Sequence, residues 1–186
     1  MKVQEKNETS GQRIVIVGNS GSGKTFLANQ ISHYFGKVFH FYSFFWEPGG
    51  FNKKRPKEVV ARELVEISEM DGWVVEGVFG ELAELFINRA TCLIWLDMNW
   101  ETCQKNLLLR GSESSRQLEP QKAEENFLIL IGWASKYWER TNSRSYTGHK
   151  KIFDVFPRSK YRLTSKQELD NFVAAISASY NPTQNP

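Results

Sequence analysis

The sequence predicts an α/β protein built on a parallel sheet with crossover helices. Three observations lead there. Short apolar runs rich in β-branched residues alternate with stretches of helical periodicity along the chain. The first run, RIVIV at 13–17, passes directly into a glycine-rich turn and then into a helix. The 186 residues suit one compact domain, able to bury about 70% of its unfolded surface, with little room for a second.

The elements follow in order. Residues 1–12 and 181–186 are polar and read as flexible ends, leaving a single domain over 13–180. After the strand at 13–17, a helix is expected over about 24–35, where Phe26, Leu27, Gln30 and Ile31 fall at near-helical spacing. A second strand at 37–41 leads into an aromatic loop, FYSFFWEPGGF. Pro56 opens a helix reaching Met70, and Asp71-Gly72 turns the chain into a third strand, WVVE at 73–76. A short helix near 81–88 precedes the fourth strand, CLIWLD at 92–97. Helical periodicity over 100–109 ends at Arg110-Gly111, and the polar segment GSESSRQLEP separates it from a long helix over about 121–140. TNSRSYTGHK shows no clear periodicity. The last strand is expected at 161–163 and the last helix at 166–178, capped by Thr164 or Ser165.

Composition narrows the class. The chain is 40% hydrophobic and 24% charged, ordinary for a soluble protein, and its net charge of +3 is too mild to point to nucleic acid by itself. Cys92 and Cys103 form neither a disulfide framework nor a zinc site and read as reduced core thiols. The polar start of the chain does not read as a signal peptide, and no apolar run reaches the roughly 20 residues of a membrane helix. A cytoplasmic protein with no membrane partner, monomeric or homodimeric, is expected.

The chemistry concentrates in Gly18, Asn19, Ser20, Gly21, Ser22, Gly23, Lys24 and Thr25, which fit G-x-x-x-x-G-K-[ST] in full. Glycines at these positions let successive backbone N–H groups point into one concavity that holds phosphate oxygens. The helix that follows adds its positive end. Lys24 would reach the β- and γ-phosphates, and the Thr25 hydroxyl would ligate Mg²⁺. The motif sits between a buried strand and an amphipathic helix, where it must sit to work.

A phosphate loop of this kind needs a carboxylate at a neighbouring strand end to hold Mg²⁺. Glu76 and Asp97 both end predicted buried strands, at the edge where open α/β sheets bind ligands, and both are candidate metal residues. Phosphoryl transfer also spreads negative charge that arginines can neutralise. Arg110 and Arg116 flank the polar segment and are the catalytic candidates beside Lys24 and Glu76; Arg140 and Arg144 are weaker ones, and all four can equally be solvated surface charges. Phe44, Phe45 and Trp46 would either line a ligand pocket or pack a helical hairpin on the core. His149 would bind phosphate or cap a turn.

In order and spacing, RIVIVGNSGSGKT, VFHFYSFFWEPG, WVVEGVFG, RATCLIWLD and KYRLTSKQELDNFV resemble small bacterial P-loop kinases of the nucleoside monophosphate kinase superfamily. The nearest resemblance is to adenylate kinase-related proteins of the DNA topology modulation type. It covers most of the chain. It implies a three-layer P-loop fold, a five-stranded parallel sheet in the order 2-3-1-4-5 with helices on both faces. It further implies an acceptor-binding insertion at about 42–70, a lid at about 110–120, and ATP with Mg²⁺ as donor and cofactor. The chain departs from the family pattern in three places: Tyr42 stands where an aspartate near the acceptor is usual, Glu76-Gly77 replaces Asp-Gly, and Ala90-Thr91 replaces Ala-Asp.

These readings leave three functions open. One is an ATP-dependent kinase acting on a nucleotide or small-molecule acceptor. Another is a nucleotide-dependent switch with weak hydrolysis and no acceptor, which Tyr42 favours. The last is a nucleic-acid-associated ATPase or end-modifying kinase, against which the absence of a basic stripe counts.

Overall fold

Three consecutive runs of apolar residues form the centre of the sheet. The computed structural model describes residues 11–48, 53–112 and 119–180. Strands β1 (Arg13–Gly18), β3 (Trp73–Gly77) and β4 (Cys92–Leu96) lie side by side and are buried on both faces, which is why they read as near-continuous hydrophobic runs. β2 (Val38–His40) flanks β3 and β5 (Ser159–Leu163) flanks β4, giving a fully parallel sheet in the order β2-β3-β1-β4-β5. The edge strand β5 carries Lys160 and Arg162 and is largely exposed, a composition that discourages further strand pairing.

Because side chains alternate across a strand, each face has its own core. On one face Ile14, Ile16, Val74, Ile94 and Leu96 meet Leu27, Ile31 and Phe35 of α1 (Lys24–Phe35) and Leu169 of α8 (Lys166–Tyr180). On the other, Val15, Val17, Trp73, Val75, Leu93 and Trp95 meet α2 (Phe41–Phe45), α3 (Lys57–Ser68), α4 (Gly80–Ile87) and α7 (Tyr146–Val155). Helices α5 (Trp100–Arg110) and α6 (Pro120–Ser135) complete the chain between β4 and α7. This is the three-layer P-loop architecture. No helix among the described residues is long and apolar enough to cross a membrane.

The structure departs from the sequence reading at three elements. The aromatic segment after strand two is helical: β2 ends at His40, and α2 buries Phe41 and Phe44 one turn apart. The helix expected over 121–140 ends at Ser135, because Tyr137 N–H turns back to Ala134 O (3.1 Å) and carries the Tyr137 ring into the core. The unpatterned stretch TNSRSYTGHK contains the start of α7, where the Ser145 hydroxyl accepts from Gly148 N at 3.1 Å as an N-cap. The buried face of α7 includes His149 beside Ile152, and a polar letter in the stripe hides its periodicity. At the last helix, Ser165 is the cap, accepting from Glu168 N at 3.2 Å.

Two glycines seat α4 and α7 against the turn between α6 and α7. A Cβ on Gly80 would lie 2.0 Å from Ser143 O, and one on Gly148 would lie 2.5 Å from Asn142 O. Outside the backbone of its own helix, no atom of the described residues lies within 4 Å of where a Cβ on Gly132 in α6 would be. Gly80→Ala is therefore expected to destabilise the protein by about 1–3 kcal/mol through overpacking. Gly132→Ala should instead be neutral or stabilising by up to about 1 kcal/mol. Urea unfolding of both variants beside the wild type checks the pair; equal effects would contradict the packing described here.

Candidate functional site

The parallel register brings the carboxyl ends of the strands to one edge. His40 lies beside Glu76, Ile16 beside Glu76, and Gly18 beside Leu96. The loop of residues 18–25 leaves β1 at this edge and turns into α1 through Gly23, whose φ of 96° is in the left-handed region. The loop lies hard against α5. A Cβ on Gly21 would sit 2.3 Å from Cys103 O, and Asn106 Nδ2 donates to Gly21 O at 2.8 Å. Asn19, 1% exposed, donates from Nδ2 to Ala134 O of α6 at 3.0 Å and accepts from Ser20 N at 2.8 Å. The loop is thus gripped by both helices that flank the expected lid.

Lys24 is buried and its Nζ donates to Asn19 O at 2.7 Å. Burial pushes its pKa below the ordinary lysine value; the negative charge of Glu76 opposes that shift, and the charge of Arg110 adds to it. The Thr25 hydroxyl donates to Glu76 Oε1 at 2.9 Å. The same oxygen receives a second bond, from His40 Nδ1 at 2.6 Å. Burial raises the Glu76 pKa. The His40 hydrogen bond, the charges of Lys24 and His40, and the Thr25 hydroxyl together outweigh it and hold the carboxyl below its usual range. An ionised carboxylate only accepts hydrogen bonds, so Nδ1 carries the proton and donates.

This arrangement fits a triphosphate with Mg²⁺. Thr25 uses its hydroxyl proton on Glu76, which leaves its lone pairs for a cation, and Glu76 adds hard carboxylate oxygen. The Ser22 hydroxyl is buried in the loop with no hydrogen-bond partner among the described residues, a donor matched to a phosphate oxygen. No group of three or more His, Cys, Asp or Glu that could hold a metal comes together among the described residues. A cation here would take most of its ligands from phosphate and water, the habit of Mg²⁺.

The other candidates separate. Asp97 does not join Thr25: its Oδ2 accepts from Arg162 Nε (2.9 Å) and Nη2 (2.5 Å), with the guanidinium 4.8 Å from the Trp95 ring. It lines an open cleft of about 500 Å³ with Trp100, Trp138 and Tyr146, beyond the start of α5. Arg110 ends α5, within electrostatic reach of Lys24. Arg116 lies outside the described residues. Arg140 stacks 3.7 Å from the Trp133 ring and donates to the carbonyls of Trp133 and Arg144, with its Nε buried and without a partner among the described residues. Arg144 lies between Phe45 (4.5 Å) and Phe79 (4.4 Å), and its Nε donates to Glu81 Oε1 at 2.6 Å.

The aromatic segment divides in the same way. Phe44 is core, Phe45 packs on Phe79 with centroids 4.8 Å apart, and Tyr42 is exposed and stacked on His40 (5.7 Å, 29°). His149 neither binds phosphate nor caps a turn. It is wholly buried, its Nε2 pairs with Val78 O (3.0 Å), and its Nδ1 meets the Tyr137 hydroxyl (2.6 Å), which also accepts from Trp95 Nε1 (3.3 Å). The residue the sequence reading omitted is His40. Its place at the end of a strand neighbouring Glu76 was a usable signal, since adjacent parallel strand ends share an edge.

No protein-family model and no curated protein matches the chain. Among solved structures, shikimate kinase from Bacteroides thetaiotaomicron is similar over 91% of this chain and 98% of its own, at 14% identity and a TM-score of 0.48. Shikimate kinase from Acinetobacter baumannii, in complex with shikimate, is similar over 94% and 96%, at 14% identity and 0.47. Deoxyadenosine kinase from M. mycoides, with products dCMP and a flexible dCDP bound, is similar over 93% and 100%, also at 14% and 0.47. At these distances the likeness supports no statement about activity, acceptor or residue roles.

Burial lowers the His149 pKa from 6.5 to about 3. The unfolded chain therefore takes up a proton first as pH falls, and protonation favours unfolding. Stability should fall by about 1.4 kcal/mol per pH unit from this group alone below its unfolded pKa. His149→Gln is expected to be less stable at pH 7 but to show a shallower slope between pH 6.5 and 5. Denaturant titrations across that range measure it, and parallel slopes would overturn the assignment.

Proposed function

We propose that this chain is an ATP-dependent, Mg²⁺-requiring phosphotransferase of adenylate kinase-like type, acting in the cytoplasm on a nucleotide or other small hydroxyl- or phosphate-bearing acceptor. The observation that carries the reading is the 2.9 Å bond from Thr25 to Glu76, beneath a loop that also presents Lys24. That bond joins the end of β3 to the start of α1, where a triphosphate and its cation would meet. Thr25 and Glu76 would hold Mg²⁺, which would supply positive charge against that developing on the phosphates.

The protein's own residues supply position and charge. Lys24 would exchange the Asn19 carbonyl for β- and γ-phosphate oxygens, which stabilise its charge far better than one amide oxygen. Ser22 and the loop N–H groups would complete the cradle. Thr25 and Glu76 would hold the cation side, Glu76 doubling as the carboxylate nearest an incoming acceptor. Arg110, and Arg116 from the lid segment, would neutralise the transferring group. Asp97 enters this scheme only if Arg162 releases it.

A second reading rests on Tyr42. An exposed phenol stacked on His40 stands where related kinases place an acceptor-side aspartate. That substitution favours a nucleotide-dependent switch that hydrolyses ATP slowly and has no acceptor.

Incubation with γ-labelled ATP and a panel of nucleotides, sugars and oligonucleotide ends separates the two. Transfer of label to one acceptor class is expected; label released only as free phosphate would sink the kinase reading in favour of the switch. Lys24→Ala should weaken Mg·ATP binding at least about tenfold, or roughly 1.4 kcal/mol. Calorimetry showing unchanged affinity in that variant would remove the phosphate cradle itself.

A further inference from the structure

The His40 ring is held on two sides. Its Nδ1–H donates to Glu76 Oε1 at 2.6 Å, and Tyr42 stacks on its face at 5.7 Å. Oε1 also accepts from Thr25, so both donors meet on one oxygen, and Oε2 accepts no hydrogen bond among the described residues. The Glu76 side chain is 4% exposed and that of His40 is 28% exposed. The carboxylate is therefore fixed from within the protein, while the imidazole is partly exposed.

A buried carboxylate with a single donor can rotate about its last torsion, since sp³–sp² torsions are broad and roughly two-fold. Two donors converging on Oε1 remove that freedom. We propose that His40 is a positioning residue of the triphosphate–Mg²⁺ site. Its Nδ1–H pins Glu76 so that Oε1 stays on Thr25 and Oε2 stays turned to the cation. His40 itself touches neither phosphate nor metal. The role belongs to a class in which an outer partner orients a ligating side chain, and loss of such a partner weakens metal binding by about tenfold or more. Tyr42 gains a purpose in the same step, because its ring supports the face of the imidazole opposite the core.

The inference rests on the function proposed above, and two substitutions test it. His40→Asn keeps an N–H donor near the place of Nδ1. His40→Phe keeps a ring for Tyr42 to stack on but removes the donor. ATP affinity is measured by calorimetry for each protein with Mg²⁺ and with a chelator, alongside thermal melting to confirm folding. His40→Phe should lose about tenfold of the Mg²⁺-dependent gain in affinity, with its chelator value unchanged. His40→Asn should keep most of that gain. In the ligand-free wild type, ¹⁵N NMR should show Nδ1 of the His40 ring carrying its proton.

A folded His40→Phe with the full Mg²⁺ gain would overturn the proposal, as would a His40→Asn as impaired as His40→Phe, or a ring found as the Nε2–H tautomer. A wild type whose ATP affinity ignores Mg²⁺ would overturn the proposed function and this role together. That failure is told apart because it appears without any substitution.

Discussion

A carboxylate buried at the end of a central strand is the constraint around which this site is arranged. Glu76 is 3% exposed between β1 and β2, where an uncompensated charge would cost several kcal/mol. It remains ionised because three groups on two elements compensate it: His40 from the end of β2, Thr25 from the first turn of α1, and the charge of Lys24 from the same turn. Each depends on the strand order, since only β2-β3-β1 places the ends of β2 and β1 on either side of Glu76. The left-handed turn at Gly23 then starts α1 where Lys24 and Thr25 reach the sheet edge.

The loop above this carboxylate is tied to two helices, α5 and α6. Asn106 of α5 bonds Gly21 O, and the Ala134 carbonyl of α6 receives Asn19. Movement of α5 relative to α6 must therefore break one of these bonds or carry the loop with it. Below α6, the buried chain Trp95–Tyr137–His149–Val78 fastens its end to β4, α7 and the turn after β3. A buried network of this kind is rigid when every member is satisfied, and here each ring donor has an acceptor. The C-terminal end of α6 is thus fixed to the core.

The phosphate loop and the sheet were legible because both rest on signals that sterics make strict. Gly21 admits no side chain beneath α5, and β1, β3 and β4 must be apolar on both faces. What escaped did so for physical reasons. α7 was hidden because its buried stripe contains His149, made tolerable by partners 12 and 71 residues away. α2 was hidden because five residues carry too little periodicity to tell a turn of helix from a loop. Asp97 and Glu76 were indistinguishable as strand-terminal acids. Arg162 on β5 and Thr25 on α1 separate them, and that pairing depends on which strands become neighbours.

The arginines near the strand edge differ in how their charge is met. Two of the arginines near the strand edge are neutralised locally, Arg144 by Glu81 and Arg162 by Asp97. Arg140 differs: among the described residues its guanidinium bonds two carbonyl oxygens and no carboxylate, and burial lowers its pKa. Both Arg140 and Lys24 depress the pKa of His149, so the two cations act on one neighbourhood.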